Sequence, residues 1–231
     1  MGRSIKEKEM NRVAVCFWGQ TRTFSTLKEY KKLNHQDIKF DFFISTWDDF
    51  KDKSHYSSFE DKEFIDPEIF KFKNNTDRAF YLIHRVNNMK SKYEMDNGFI
   101  YDYIIWTRSE ILYETKYLLQ FLLEKLNFEK NDDNHKIFEV NTLSPIRTDI
   151  EKDANTIRLD ADFSFLGTSL AFDMYASGWK YYFKSKGCDN FHGLSGGHHA
   201  HATVIKKFNL ELVPCKIAHK FLFSKLYERE V

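Results

Sequence analysis

The first half of the chain alternates short apolar runs with polar clusters. Residues 13–18, Val-Ala-Val-Cys-Phe-Trp, form a continuous apolar run closed by Gly19, the pattern of a strand buried on both faces. Residues 19–23 are a polar loop, and Thr23 or Ser25 can cap a helix that runs to about residue 34. A second apolar run, residues 40–47, ends in Thr46-Trp47-Asp48. Strand, loop, helix and strand in this order make a βαβ unit.

Residues 48–75 are polar with scattered aromatics and read as a long connection, with a short strand or turn within 64–72. Residues 76–95 have helical spacing. Phe80, Ile83, Val86, Asn87 and Lys90 fall on one stripe, broadened by Tyr81, Leu82 and Tyr93, and Asn97-Gly98 stops it. A third strong strand spans 101–107, followed by Arg108-Ser109-Glu110 and a Leu-rich helix over 115–126. Shorter strands are expected at 136–140, 162–166 and 210–213, and helices at 168–186 and 198–208. The 168–186 helix offers Leu170, Met174, Trp179 and Tyr182 to the core. Residues 141–158 read as a loop that wraps the site, and 187–197 as a glycine-bearing loop. No internal repeat or linker divides the chain, so residues 1–231 read as one domain. Its class is α/β, a mostly parallel central sheet flanked by helices.

Composition narrows the function classes. The 231 residues carry 35 basic and 34 acidic side chains, a net charge of +1 that argues against a dedicated nucleic-acid binder. With 17% aromatics and 42% hydrophobics, disorder is excluded on composition. Cys16, Cys188 and Cys215 give no framework of pairs, which points to a reducing compartment. Residues 1–12 are charged and mixed in sign, without the apolar core of a signal peptide, and no apolar run reaches the roughly 18 residues of a membrane span. A soluble, cytoplasmic protein is the expectation.

The candidate chemistry collects where the strands end. In open α/β sheets, ligands bind beyond the carboxyl ends of the strands. Gly19, Gln20, Thr21 and Arg22 follow the first strand, Ser45, Thr46 and Asp48 close the second, and Arg108, Ser109 and Glu110 follow the third. Gly19 lets the backbone approach a ligand, and the guanidinium forks of Arg22 and Arg108 suit phosphate. Glu110 with nearby carboxylates could hold a divalent metal on phosphate oxygens. Plainer readings stand beside these: an ordinary turn at 19–22, a surface pair between Arg108 and Glu110, and hydroxyls of Ser45 and Thr46 that bond only to backbone. Neither GxGxxG nor GxxxxGK[ST] is present.

Four segments then carry a family resemblance. Val13-Ala14-Val15-Cys16-Phe17-Trp18-Gly19-Gln20-Thr21-Arg22 resembles the opening of a group of bacterial and viral glycosyltransferases of lipopolysaccharide and capsule synthesis, including WavE-like proteins, with Thr21 where proline is common. Asp41-Phe42-Phe43-Ile44-Ser45-Thr46-Trp47-Asp48 is similar to a "D-x-F-I-H-T-W-D" segment, with Ser45 in the His position. Lys92-Tyr93-Glu94 followed by residues 101–110 resembles "K-Y-E … Y-D-Y-V-I-R-x-R-x-D". Residues 162–169 followed by Asp173-Met174-Tyr175 resemble "D-Q-F-x-x-G-S-S … M-D-x-Y".

The resemblance implies a GT-A-like fold and sugar transfer from a nucleotide diphosphate-sugar to a saccharide or other hydroxyl acceptor. On it, Gly19, Gln20, Arg22, Thr46, Asp48 and Ser109 would bind the donor. Arg22 and Arg108 would stabilise the leaving diphosphate, and Asp162 would act as base or contact the acceptor. Mn²⁺ or Mg²⁺ would be held by Glu110, Asp160 and His219. Two further departures bear on the chemistry. Trp106 stands where Arg is frequent, which removes one phosphate donor. Arg108-Ser109-Glu110 keeps one carboxylate of an Asp-x-Asp, and the only literal Asp-x-Asp is Asp160-Ala161-Asp162.

Two alternatives remain open at this level. One is a catalytically degenerate sugar- or nucleotide-binding module. The other is a metal-dependent hydrolase or lyase using His192, His198, His199 and His201, against the plainer reading of a His-bearing helix start after a glycine-rich loop.

Overall fold

The structure is a computed structural model. It describes residues 10–19, 30, 32–48, 56–66, 68, 72, 75–108, 115–127, 134–139, 164–184, 204–205 and 207–214. Seven strands make one sheet: β1 (Asn11–Trp18), β2 (Ile38–Trp47), β3 (Asp61–Ile65), β4 (Tyr103–Arg108), β5 (Lys136–Glu139), β6 (Ser164–Gly167) and β7 (Glu211–Pro214). Their spatial order is β3-β2-β1-β4-β6-β5-β7, and β6 runs antiparallel to both of its neighbours. The other pairings are parallel. The expected α/β class, a mostly parallel sheet flanked by helices, is the one observed.

Alternation of side chains along each strand sorts the core into two layers. Val13, Val15 and Phe17 of β1 join Ile44, Tyr103 and Ile105 on one face. That face is covered by α2 (Thr115–Asn127) through Leu118, Phe121, Leu122 and Leu126. Ala14, Cys16 and Trp18 join Phe43, Ile104 and Trp106 on the other. There α1 (Asn75–Asn97) supplies Phe80, Ile83 and Val86, and α3 (Ser169–Lys184) supplies Ala171, Phe172, Tyr175 and Ala176. Both layers are continuous apolar runs in sequence because the central strands are covered on both sides.

Several local expectations are corrected. The strand expected within 64–72 lies at Asp61–Ile65, paired in parallel with Phe43–Trp47. In α3, Leu170 is exposed and Met174 only partly buried, while Ala171, Phe172, Tyr175 and Ala176 face the sheet. The two alanines let the helix lie close, and Phe172 stacks on Trp106 at 4.8 Å and 21°. Trp106 is fully buried among Phe165, Phe172 and Tyr175, so that position points into the core. The helices expected near residues 25–34 and 198–208 fall largely outside the described residues. So do the loops at 141–158 and 187–197 and the side chains of Trp179 and Tyr182.

Helix α1 ends as its sequence requires. Gly98 takes φ +68°, and the Phe99 N–H donates to the Glu94 carbonyl at 3.2 Å. This is a left-handed glycine cap with a six-to-one bond, and Phe99 packs back on Tyr93 at 6.0 Å. At the start of α3, the Thr168 Oγ1 accepts from the Ala171 N–H at 3.2 Å and so caps the first turn.

Candidate functional site

The carboxyl ends of β1, β2 and β4 lie side by side. In register, Trp18 pairs with Ser45 on one side and with Arg108 on the other, and Ser45 pairs with Glu63. Arg108, Trp18, Ser45 and Glu63 therefore form one row across four strands, neighbours about 4.8 Å apart. Alternation puts the row on the face that α1 covers. Arg85 of α1 confirms the placement, donating through Nε to Glu63 at 2.8 Å and through Nη2 to the second carboxylate oxygen. That hydrogen bond raises the Arg85 pKa further. Burial raises the pKa of the neighbouring Tyr81 hydroxyl, with Arg85 opposing.

Just beyond the row, Gly19 takes φ +102°, a conformation open to glycine and strained for other residues. A Cβ there would sit 3.9 Å from the Arg108 Cγ, so the chain leaves β1 across the stem of Arg108. Asp48 is exposed at the end of β2, its N–H bonded to the Ile65 carbonyl at 2.8 Å. The structure thus brings Gly19, Asp48 and the half-buried Arg108 to one end of three adjacent parallel strands. Thr46 is treated differently. At 1% exposure it is buried on the α2 face, opposite Ser45 and Arg108. Within the row, Trp18 Nε1 and Ser45 Oγ are buried and have no hydrogen-bond partner among the described residues.

Gln20, Arg22, Ser109, Glu110, Asp160, Asp162, His219 and the cluster His192, His198, His199 and His201 lie outside the described residues. Among the described residues, no group of three or more His, Cys, Asp or Glu side chains is placed to hold a metal. No helix among them is long and apolar enough to cross a membrane.

A second polar cluster, unforeseen as a unit, sits at the opposite end of the sheet. Lys90 is fully buried, and its Nζ lies 2.9 Å from Glu94 Oε2 and 2.9 Å from Asp173 Oδ1. It also donates to Ser169 Oγ. Ser169 Oγ donates to Glu94 Oε1 at 2.7 Å, and the Tyr101 N–H donates to the same oxygen at 2.9 Å. Nearby, the Tyr101 hydroxyl donates to the buried Asp41 at 2.9 Å. Burial, with Asp41 adding to it, pushes the Tyr101 pKa up, and burial does the same to the Cys16 thiol. Such a thiol is a core group rather than a nucleophile.

The segments that carry the resemblance are split between the two ends of the sheet. Asp41, Glu94, Ser169 and Asp173 all belong to those segments, and all four make contacts that hold α1, α3 and β2 to the amino end of the sheet. Gly19, Asp48 and Arg108 belong to the same segments and stand at the other end.

No family model matches the chain, and no curated protein matches it. Among solved structures it is similar to the crystal structure of a glycosyltransferase involved in the glycosylation of the major capsid of PBCV-1. The two share 9% identity, with 88% of this chain and 81% of that chain covered, at a TM-score of 0.45.

Proposed function

We propose that the protein transfers a sugar from a nucleotide diphosphate-sugar to a hydroxyl acceptor, on a GT-A-like sheet. One observation carries the reading: the chemistry-bearing ends of three family-like segments meet at the carboxyl ends of adjacent parallel strands, with Arg108 beside Gly19. That is where an α/β sheet binds its ligand. In the reaction, the bond between the sugar's anomeric carbon and the diphosphate breaks as the acceptor oxygen bonds to that carbon. Arg108 and Arg22 hold the diphosphate as negative charge develops on it. Asp162 takes the acceptor proton. Gln20, Asp48 and Ser109 contact the donor, while Thr46 supports the end of β2 from below.

A divalent ion would be held by Glu110, Asp160 and His219, and would neutralise the diphosphate oxygens.

Calorimetry with UDP-, GDP- and CDP-sugars, each with and without Mn²⁺, tests the reading. One donor should bind the wild type, and Arg108→Ala should weaken it about tenfold or more, the loss of a charge-assisted bidentate contact. Failure of every donor to bind overturns it. A second reading, a binding module without turnover, is favoured by the single carboxylate of Arg108-Ser109-Glu110. Donor hydrolysis or transfer that disappears in Arg108→Ala rules that module out.

A further inference from the structure

The row of Arg108, Trp18, Ser45 and Glu63 crosses four strands on the face that α1 covers. Two adjacent members of it bury polar atoms without a partner among the described residues. Trp18 is 6% exposed and Ser45 is 0% exposed, and neither Trp18 Nε1 nor Ser45 Oγ makes a hydrogen bond. On the helix above, Asn87 is 7% exposed, and its Oδ1 is also without a partner among the described residues. Buried polar side-chain atoms of folded proteins nearly always have one, in the protein or in ordered water.

Asn87 stands over the row. It shares the sheet-facing stripe of α1 with Ile83, four residues before it, and with the fully buried Lys90, three after it. Arg85, two residues before it, bonds to Glu63 of the row. Tyr93, six residues after it, packs its ring 5.5 Å from that of Phe43, one row nearer the amino end. Two strand residues advance about 6.6 Å and one helix residue about 1.5 Å, so α1 passes from row to row in about 4.4 residues. The row of Trp18 and Ser45 therefore lies under the stretch from Arg85 to Met89, where Asn87 is the buried polar side chain.

The three atoms are chemically complementary. The indole N–H of Trp18 only donates, Oδ1 of Asn87 only accepts, and the Ser45 hydroxyl does either. A cation would face the indole N–H, an anion would face the amide oxygen, and burial shuts out a larger ligand. A small neutral molecule that both donates and accepts satisfies all three. We infer that an internal water is bound between Trp18, Ser45 and Asn87. It accepts from the indole N–H, donates to the amide oxygen and shares a bond with the Ser45 hydroxyl. Three bonds are the usual number for a buried water. The site ties the ends of β1 and β2, which lead into Gly19 and Asp48, to α1. It does not depend on the transferase reading.

A crystal structure of the full chain, at a resolution that shows ordered water, tests the inference. A density peak should lie about 2.7–3.2 Å from all three atoms. A direct bond between Trp18 Nε1 and Asn87, or no peak between the three atoms, overturns it. Water-selective NMR on isotope-labelled protein reads the same site in solution. The Trp18 indole N–H, identified by its loss in Trp18→Phe, should show a direct cross-peak to a long-lived water. Its absence counts against the site as the missing density would. Asn87→Leu replaces the amide by apolar atoms and removes the acceptor, so the cross-peak should vanish; one that persists at wild-type strength overturns the assignment of Asn87. Should that variant not fold, the wild-type density and cross-peak still decide.

Discussion

Replacing Lys90 by methionine isolates the largest electrostatic commitment in the described core. The side chain is fully buried, and its ammonium meets Glu94 and Asp173, each at 2.9 Å. The two partners differ in weight. The Asp173 side chain is 42% exposed, so water screens it, whereas that of Glu94 is 9% exposed and loses its only cationic neighbour among the described residues. Methionine matches lysine in length and fills the same space, so the change removes charge more than volume. Glu94 keeps the Ser169 hydroxyl and the Tyr101 N–H, which lessens the loss without cancelling it. Removing one partner of a buried ion pair costs about 3–5 kcal/mol. In a domain of this size each kcal/mol lowers Tm by about 2–4 °C, so a fall of about 10 °C is expected.

Urea unfolding, followed by circular dichroism and by tryptophan fluorescence, reads the free energy and tests whether the transition is two-state. The control is the double variant Lys90→Met with Glu94→Gln, in which no lone buried charge remains. It should recover at least half of the loss, since a buried pair is far less valuable than the penalty for breaking it. If Lys90→Met falls within about 1 kcal/mol of the wild type, the ammonium is not enclosed with Glu94 and the argument fails. A double variant that simply adds the two single losses refutes the coupling.

Other outcomes follow from single contacts. Gly178→Ala would set a Cβ 2.6 Å from both Cγ atoms of Val204, and should cost about 1–3 kcal/mol in thermal melts; adding Val204→Ala should restore most of it. Native Cys16, fully buried, should resist a thiol reagent until the protein is unfolded by urea. Alkaline stability is set partly by Cys16 and Tyr101, whose pKa values are raised in the folded protein, chiefly by burial. Their stabilisation is complete below the unfolded values of 9.0 and 10.0 and is lost as pH rises above them, because the unfolded chain then releases protons that the folded one retains. Urea midpoints should fall from about pH 9 upward, and Tyr101→Phe should flatten the part above about pH 10; a midpoint that is level from pH 8 to 11 refutes this.

The central strands were legible because burial on both faces leaves an unbroken apolar run, as in Val13–Trp18. Gly19, Asp48 and Arg108 were legible as a set because each directly follows such a run. Other features left weaker marks. β3 reads Asp-Lys-Glu-Phe-Ile, an edge strand whose charged first half has no strand-like pattern. The inner face of α3 leaves a weak mark because Ala171 and Ala176 contribute little hydrophobicity, yet their small size brings the helix onto the sheet. Leu170, the stronger apolar signal, is exposed instead. The direction of β6 depends on connections that no local pattern encodes. The partners of Lys90 on α3 lie 79 and 83 residues away, so its place on the apolar stripe of α1 was visible and the reason for it was not.

The two ends of the sheet therefore carry different kinds of information. At the amino end, Asp41, Glu94, Ser169 and Asp173 bond to Tyr101 and Lys90, and a protein could keep those residues for the fold alone, whatever it catalyses. A likeness at these positions is evidence about architecture. At the carboxyl end, Arg108 is only half-buried, Asp48 is exposed, and Gly19 holds a left-handed conformation that core packing does not call for. Nothing in the hydrophobic layers requires an arginine and an acid to flank a glycine there, and an α/β sheet binds its ligand at that end. The proposed transfer activity thus rests on these three residues, and donor binding by Arg108→Ala is the measurement that separates it from a scaffold.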